Sequence, residues 1–199
     1  MAKRLFIGTM LPAPSQQAVA DLRQSIEGDL AARWNCKLRW VRPDKLHITL
    51  LFLGICEPEQ EAEIRKILTR LAPSLPQTQI SYEEFEIFYS QKRPNAAVLL
   101  PAQVEEQLAE IGSKFRAELS QFCQKQDETH AFRPHLTLFR FPADNKTRYT
   151  VDGKLNLDKW LPLEQEIKQF SLIESHTGSQ GADYIIVEEF ALGGQQDNK

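Results

Sequence analysis

Two short segments of one pattern, HITL at 47–50 and HLTL at 135–138, constrain the fold of this chain more than any other feature. Each lies in an apolar run in which polar and apolar residues alternate, a pattern typical of β-strands. In a strand, residues i and i+2 point to the same face, so the histidine and the threonine of each segment project together. The repeat therefore predicts two strands of similar design, one in each of two lobes.

The rest of the chain predicts an α+β fold. Apolar runs predict strands over residues 4–11, 46–53, 80–89, 96–100, 132–141, 166–174 and 184–190. Apolar residues spaced three and four apart predict helices over residues 15–34, 59–71 and 103–124, the first of them capped by Ser15. We expect the first motif strand to end at Gly54, and residues 142–165 to form a loop with at most a short helix. Hairpin-like segments beside both motif strands favour antiparallel sheets over a doubly wound parallel sheet, in a single two-lobed domain spanning residues 1–199.

Charge and cysteine content exclude several classes of protein. The formal net charge is −3 and the sequence pI about 5.9, so the chain lacks the global basic field of proteins that follow long nucleic acids. Its three cysteines form no C-x-x-C pair, which favours free thiols in a reducing compartment over disulfides or a zinc site. No segment is long and apolar enough to span a membrane. We expect a cytoplasmic protein without membrane contact, and a monomer.

The two motifs together suit phosphoryl chemistry. If both strands line one cleft, His47 and His135 supply two groups that titrate near neutral pH, and Thr49 and Thr137 supply two neutral hydroxyls. One neutral imidazole can take a proton from water, and one protonated imidazole can give a proton to the departing oxygen. The hydroxyls can hold the non-bridging oxygens of a phosphate. This scheme requires no metal and no cofactor.

A purely structural role is the alternative. Both motif histidines would then be half-buried strand residues that bond a neighbour, and threonine would be present for its β propensity. The repetition weighs against this role, because the chain has only four histidines and two of them carry the pattern. His130 and His176 lack it, and we assign them no function.

The sequence resembles the bacterial RNA 2′,3′-cyclic phosphodiesterases, also called 2′-5′ RNA ligases, of the two-histidine phosphoesterase superfamily. The similarity is carried, in chain order, by segments 4–8 (RLFIG), 40–41 (WV), 46–54 (LHITLLFLG), 132–138 (FRPHLTL) and a closing strand through Tyr184. It spans nearly the whole chain. It implies a bilobal fold with pseudo-two-fold symmetry, an antiparallel sheet with flanking helices in each lobe, and an active cleft between the lobes.

The resemblance also implies an activity and a set of residue roles. The expected reaction is metal-independent hydrolysis of a 2′,3′-cyclic phosphate at an RNA end to a 2′-phosphate, with tRNA fragments among the candidate substrates. His47 would be the proton donor and His135 the proton acceptor, while Thr49 and Thr137 would bind phosphate. Run in reverse, the same site would join a cyclic phosphate end to a 5′-hydroxyl as a 2′-5′ linkage without ATP.

The family further implies that Phe52 and Arg140, which follow His47 and His135 by five residues, contact the terminal nucleotide. Strict alternation would place both on the face opposite the histidines, so each strand must bulge or end before them. The alternative is a core phenylalanine and a solvated arginine. Basic side chains near the motifs form either a rim for phosphate or ordinary solvated charge: Arg39, Arg42, Lys45, Arg133, Lys146 and Arg148.

Two other functions stay open from the sequence alone. The same chemistry could act on a small cyclic nucleotide or a cyclic ADP-ribose phosphate, or a non-catalytic RNA-binding module could retain the fold. Intact histidines in both motifs weigh against the binding module, because binding alone has no need of two groups that titrate near neutral pH.

Overall fold

Residues 1–123, 132–142, 155, 157–178 and 181–193 are described by a computed structural model of the chain. The helices are α1 (Ala13–Trp34), α2 (Pro58–Leu71) and α3 (Glu106–Leu119). The strands are β1 (Lys3–Met10), β2 (Arg39–Trp40), β3 (His47–Cys56), β4 (Thr78–Tyr82), β5 (Glu84–Ser90), β6 (Arg93–Leu100), β7 (Leu136–Arg140), β8 (Leu163–Ile167), β9 (Gln169–Gly178) and β10 (Gly181–Ala191). This arrangement confirms the predicted α+β class.

The main sheet is antiparallel and consists of two halves. Its strand order is β10-β9-β1-β3-β7-β6-β5, and the short β2 also pairs with β7. One half, ending at β3, carries the first motif, and the other half, beginning at β7, carries the second. The halves join where Ile48 of β3 pairs with Leu136 of β7. Because paired antiparallel strands are related by a local two-fold axis, the two motifs are pseudo-symmetric about this pair.

Three helices and a small second sheet, made of β4 and β8, pack around the main sheet. Helix α3 contacts β3 and β4, α2 contacts β10, and α1 contacts β8. The ring of Phe115 in α3 lies 4.8 Å from that of Phe170 in β9, which stacks 5.2 Å from Phe190 in β10. These aromatic contacts hold the outer strands against α3.

A buried polar network links the small sheet to the strand beside the first motif. The hydroxyl of Tyr82 in β4 donates to Gln165 Oε1 of β8 at 2.8 Å. The Gln165 amide nitrogen donates to the carbonyl of Met10 at 3.2 Å, and Met10 pairs with His47 across β1 and β3. Burial raises the pKa of Tyr82 well above its ordinary value, so the hydroxyl keeps its proton and acts as the donor.

The start of α1 differs from the prediction that Ser15 caps it. The helix begins at Ala13, and the residue before it, Pro12, makes no side-chain cap. Ser15 lies inside the first turn, buried, and its hydroxyl donates to the carbonyl of Glu164 at 3.1 Å. A tertiary contact with β8 uses the hydroxyl that the sequence pattern assigned to a cap.

Three strand predictions are also wrong. The predicted strand over residues 166–174 divides between β8, which ends at Ile167 in the small sheet, and β9, which begins at Gln169 in the main sheet. The predicted strand over residues 80–89 is two strands, β4 and β5, which belong to different sheets. The first motif strand does not end at Gly54 but continues to Cys56, and Gly54 has a φ of 86°. A glycine adopts this left-handed backbone without steric cost, so it bends the strand instead of ending it.

Two helices are close to the prediction, since α2 begins one residue before its predicted segment and α3 lies within its own. The second motif strand is shorter than the predicted 132–141, because β7 begins only at Leu136, after Pro134, which cannot donate to a strand ladder. In the predicted 142–165 loop, residues 158–160 form a turn and β8 already begins at Leu163. Residues 143–154 and 156, which include most of that loop, lie outside the described residues.

Candidate active site

The two motifs form a four-residue cluster at the join between the halves of the sheet. The paired residues at the join are fully buried, so their neighbours on each strand point to the opposite face. Continuing the antiparallel register by one residue sets His47 across from Thr137. By the same register, Thr49 lies across from His135. The imidazoles thus occupy one diagonal and the hydroxyls the other, and side chains on a diagonal are about 7–8 Å apart.

Backbone carbonyls orient both imidazoles in the same way. His47 Nδ1 lies 2.8 Å from the carbonyl oxygen of Lys45, and His135 Nδ1 lies 2.9 Å from that of Arg133. A carbonyl oxygen can only accept a hydrogen bond, so Nδ1 of each ring carries a proton and donates it. The Nε2 atom of each neutral ring is then the acceptor that can exchange a proton with a ligand.

Aromatic rings pack against both histidines. The His47 ring lies 5.1 Å from that of Phe6 and 4.8 Å from that of Tyr184, measured between centroids. The His135 ring meets Phe88 edge-on at 4.9 Å. These neighbours restrict the imidazoles to one orientation and exclude water from one side of each.

The surroundings lower the pKa of both histidines below the ordinary value. Burial is the largest cause in each case, and the bonds to the carbonyls of Lys45 and Arg133 oppose it by favouring the protonated ring. His135 and Arg140 lower the pKa of His47 further. Arg140 and Arg133 lower that of His135. A proton on one ring therefore disfavours a proton on the other, which suits a pair that carries one proton between them.

A bulge in β3 turns Phe52 toward the histidine face. Successive residues of β1 pair with Thr49 and Leu51, so Leu50 is an extra residue in β3. Leu50 and Leu51 are both buried, whereas Phe52 is 43% exposed. The extra residue reverses the alternation after Thr49 and returns Phe52 to the face of the motif. Its ring lies 6.0 Å from that of Phe6.

A matching bulge in β7 does the same for Arg140. Successive residues of β6 pair with Thr137 and Phe139, so Leu138 is the extra residue. Leu138 and Phe139 are both buried, and Arg140 is exposed. Each bulge occurs three residues after its motif histidine, which extends the pseudo-symmetry of the site beyond the motifs.

One cavity of about 430 Å³ contains all six residues that the sequence predicts for the site: His47, Thr49, Phe52, His135, Thr137 and Arg140. Its wall also includes Phe6 and Tyr184, which pack on His47, and the cation Arg4. The sequence gives these three no functional signal, because strand pairing across long chain separations brings them to the motif. Two members of the predicted basic rim, Arg39 and Lys45, line the same cavity.

Comparison with known proteins identifies the family. A family model described as the 2′-5′ RNA ligase superfamily matches residues 11–179. The chain belongs to this superfamily. A curated relative, the RNA 2′,3′-cyclic phosphodiesterase of Aquifex aeolicus, is 28% identical over 157 residues, which are 78% of this chain and 82% of that protein. The RNA 2′,3′-cyclic phosphodiesterase of Archaeoglobus fulgidus is 24% identical over 181 residues, or 91% of this chain and 96% of that protein.

A solved structure has the same fold as this superfamily member. The crystal structure of E. coli LigT complexed with 3′-AMP has a TM-score of 0.75 and 20% sequence identity. The match covers 96% of this chain and 99% of that one. The bilobal α+β fold expected from the sequence is therefore confirmed.

Two other predicted basic residues of this superfamily member, Arg42 and Arg133, do not line the cavity that contains the motif residues. Arg42 forms an ion pair with Asp44, and Arg133 forms one with Glu86 while its guanidinium lies 4.8 Å from the Phe88 ring centroid. Lys146 and Arg148 are outside the described residues, as is His130. His176 is exposed and pairs with Glu174 at 2.8 Å, outside the cavity.

Two other features, a metal site and a membrane-spanning helix, are absent from the described residues. Among them, no group of three or more His, Cys, Asp or Glu side chains is placed to hold a metal ion. No helix within the same ranges is long and apolar enough to cross a membrane.

Proposed function

We propose that this member of the 2′-5′ RNA ligase superfamily hydrolyses a 2′,3′-cyclic phosphate at an RNA end to a 2′-phosphate, without a metal ion. The observation that carries the proposal is the diagonal of two oriented imidazoles, crossed by two hydroxyls, in one cavity. Displacement at phosphorus needs a base on the side of the attacking water and an acid on the side of the departing oxygen. The diagonal offers one imidazole for each side. The names of the two curated relatives support the same substrate.

In the proposed reaction, His135 is the base and His47 is the acid. His135 Nε2 takes a proton from water as the water oxygen bonds to phosphorus, and His47 Nε2 gives a proton to the 3′ oxygen as the bond between phosphorus and that oxygen breaks. Arg140 and Arg133 both favour the neutral form of His135, which is the form that a base needs. The negative phosphate, bound beside His47, raises the pKa of that ring and so favours the protonated form that an acid needs.

The threonine hydroxyls bind the two non-bridging oxygens of the cyclic phosphate. Thr49 and Thr137 lie on the diagonal that crosses the one between the imidazoles, and the tetrahedral phosphorus would lie where the two diagonals cross. Hydroxyl donors that are already in place there stabilise the charge that builds on these oxygens in the transition state. This role explains why each motif pairs a histidine with a threonine on the same face.

Phe52 and Arg140 contact the terminal nucleotide. Both bulges direct these side chains to the cavity, and an exposed aromatic ring offers a stacking surface that accepts any base. The cavity volume of about 430 Å³ lies within the usual range for small-molecule sites and suits one nucleotide. The same volume admits a 2′,3′-cyclic mononucleotide or a similar small cyclic phosphate, which is the alternative substrate.

The same groups can catalyse ligation, in which the attacking group differs but the same bond from phosphorus to the 3′ oxygen breaks. If a 5′-hydroxyl takes the place of water, His135 deprotonates it, and the product is a 2′-5′ linkage formed without ATP. The proposal places the protein in the cytoplasm, as a monomer that meets RNA ends such as tRNA fragments.

An assay in EDTA tests the hydrolase proposal. Purified protein is incubated with an oligonucleotide that ends in a 2′,3′-cyclic phosphate and with a 2′,3′-cyclic mononucleotide, and the phosphate position in the product is identified. We expect a 2′-phosphate from the oligonucleotide, and loss of turnover by about a hundredfold or more in His47→Ala and in His135→Ala. His176→Ala is the matched control, because its imidazole is exposed and outside the cavity, and it should keep wild-type activity.

Three results would contradict the proposal. Absence of turnover with either substrate would favour a non-catalytic RNA-binding module. A 3′-phosphate product would show that the other oxygen departs and that the acid is misassigned. Activity that survives in both alanine variants would remove the two imidazoles from the mechanism.

A further inference from the structure

Two arginines beside the motif cluster face each other without a counterion. Arg39 of β2 pairs directly with Arg140 of β7 in the antiparallel register, and both side chains are exposed. Like charges directly opposite each other on neighbouring strands destabilise a sheet. Within the part of the chain that the structure describes, no carboxylate forms an ion pair with either guanidinium. An anion bound between the two guanidinium groups would offset their repulsion.

Neighbouring cations differ from these two arginines because they form ion pairs. Three cations near these arginines are each paired with a carboxylate: Arg42 with Asp44, Lys45 with Asp183, and Arg133 with Glu86. Arg4, elsewhere in the cavity wall, has no ion pair within the described residues. Of the unpaired arginines, Arg39 and Arg140 lie opposite each other on neighbouring strands.

The arginine pair lines a second, smaller cavity. This cavity has a volume of about 170 Å³ and adjoins the catalytic one, with which it shares the walls formed by Lys45 and Tyr184. Trp40 completes its lining on the β2 side. One nitrogen of Arg39, Nη2, donates to the carbonyl of Phe141 at 3.3 Å, which anchors one end of the guanidinium and leaves its other N–H groups for a ligand.

We propose that Arg39 and Arg140 bind the phosphodiester that links the terminal nucleotide to the one before it. The inference rests on the proposed function, since it takes the cyclic phosphate to be bound at the histidine and threonine cluster. Thr137 and Arg140 lie opposite Val98 and Ala96, two residues apart on β6, so they are separated along the sheet by roughly 7 Å at 3.3 Å per residue, a span that one nucleotide can bridge. A guanidinium binds phosphate through two parallel N–H groups, and the bound anion removes the repulsion between the two arginines.

This subsite gives the enzyme a preference for RNA chains. A 2′,3′-cyclic mononucleotide lacks the second phosphate and gains nothing from the arginine pair. A mononucleotide that carries both a 5′-phosphate and a 2′,3′-cyclic phosphate gains the contact without any further nucleotide. Arg39 is thus a specificity-determining residue that acts on the terminal nucleotide's 5′ side.

The test compares adenosine 2′,3′-cyclic phosphate with the same compound bearing a 5′-phosphate. For the wild type, we expect kcat/KM to be at least tenfold higher for the 5′-phosphorylated compound. In Arg39→Gln that advantage should fall by about tenfold to a hundredfold, because one charged hydrogen-bonding group is lost. A melting temperature within about 3 °C of wild type should show that the variant is folded. Arg70→Gln removes an equal charge from the ion pair between Arg70 of α2 and Glu118 of α3, and it should leave both rates unchanged.

Binding of unreactive products separates this inference from the catalytic proposal. Calorimetry with adenosine 2′-phosphate and adenosine 2′,5′-bisphosphate should show tighter binding of the bisphosphate to wild type, and the difference should disappear in Arg39→Gln. If wild type does not distinguish the two compounds, the subsite is refuted, whether or not the protein turns over cyclic phosphates. If Arg39→Gln weakens both compounds equally, Arg39 does not act at the second phosphate and the inference is also wrong.

Discussion

Replacing the two motif threonines by valine tests the central geometry of the site. Thr49→Val and Thr137→Val remove a hydroxyl each and keep the branched shape that a strand favours. Both side chains are half-buried on the cavity face, so neither change opens a void in the core. We expect the melting temperature of each variant to stay within about 3 °C of wild type.

The kinetic effect follows from the diagonal arrangement. A hydrogen bond to a charged group contributes about 1.5–3 kcal/mol, and each 1.36 kcal/mol is a tenfold change in rate. Each single variant should therefore lose about tenfold to 150-fold in kcat/KM. The pseudo-two-fold axis at the pair of Ile48 and Leu136 places the two hydroxyls in equivalent positions, so the two losses should be similar. If each hydroxyl binds its own oxygen, the double variant should show the sum of the two free-energy changes, within about 0.5 kcal/mol.

The measurement is steady-state hydrolysis of an oligonucleotide 2′,3′-cyclic phosphate in EDTA. Thr78→Val is the matched control, because Thr78 is a strand threonine of β4 that lies outside the catalytic cavity. Wild-type kcat/KM in either motif variant would refute the phosphate-binding role of that hydroxyl. A loss confined to one of the two would refute the equivalence that the local axis implies.

Two further predictions concern pH and stability. The proposed base, His135, must be neutral, so activity should fall as the pH drops through the pKa of His135, which burial places below the ordinary value. The proposed acid, His47, must be protonated, so activity should fall as the pH rises through the pKa of His47. The bound phosphate raises the pKa of His47, so the alkaline limb should lie at higher pH in the profile of kcat than in that of kcat/KM, and coincident limbs would contradict this. Tyr82→Phe leaves Gln165 Oε1 buried without its donor and should lower the free energy of unfolding by about 1–3 kcal/mol in urea titrations, whereas an unchanged midpoint would show that the bond contributes nothing.

The local pattern of the sequence predicted the motif strands well, because alternation is a property of consecutive residues. His47 and Thr49 share a face in any regular strand, and Pro134 marks where the second strand can begin. The amphipathic stripe of α3 is equally local. These features needed no knowledge of which strands are neighbours.

Features that depend on neighbours were missed or predicted wrongly. The hydroxyl of Ser15 bonds the carbonyl of Glu164, a residue distant in sequence, so a local capping rule could not assign it. The strand predicted over residues 80–89 divides because its two parts pair with strands of different sheets. The resemblance implied that Phe52 contacts the nucleotide, yet alternation alone placed it on the wrong face, and only the register against β1 reveals the bulge at Leu50.

The sequence by itself determined the chemistry of this protein: two imidazoles, each beside a hydroxyl, on strands of similar design. That information is local, since side-chain type and the period of a strand are set within a few residues. The tertiary structure alone decided how these groups meet, because strand register joins residues far apart in the chain. It placed the histidines on one diagonal, packed Phe6 and Tyr184 against His47, and set Arg39 opposite Arg140.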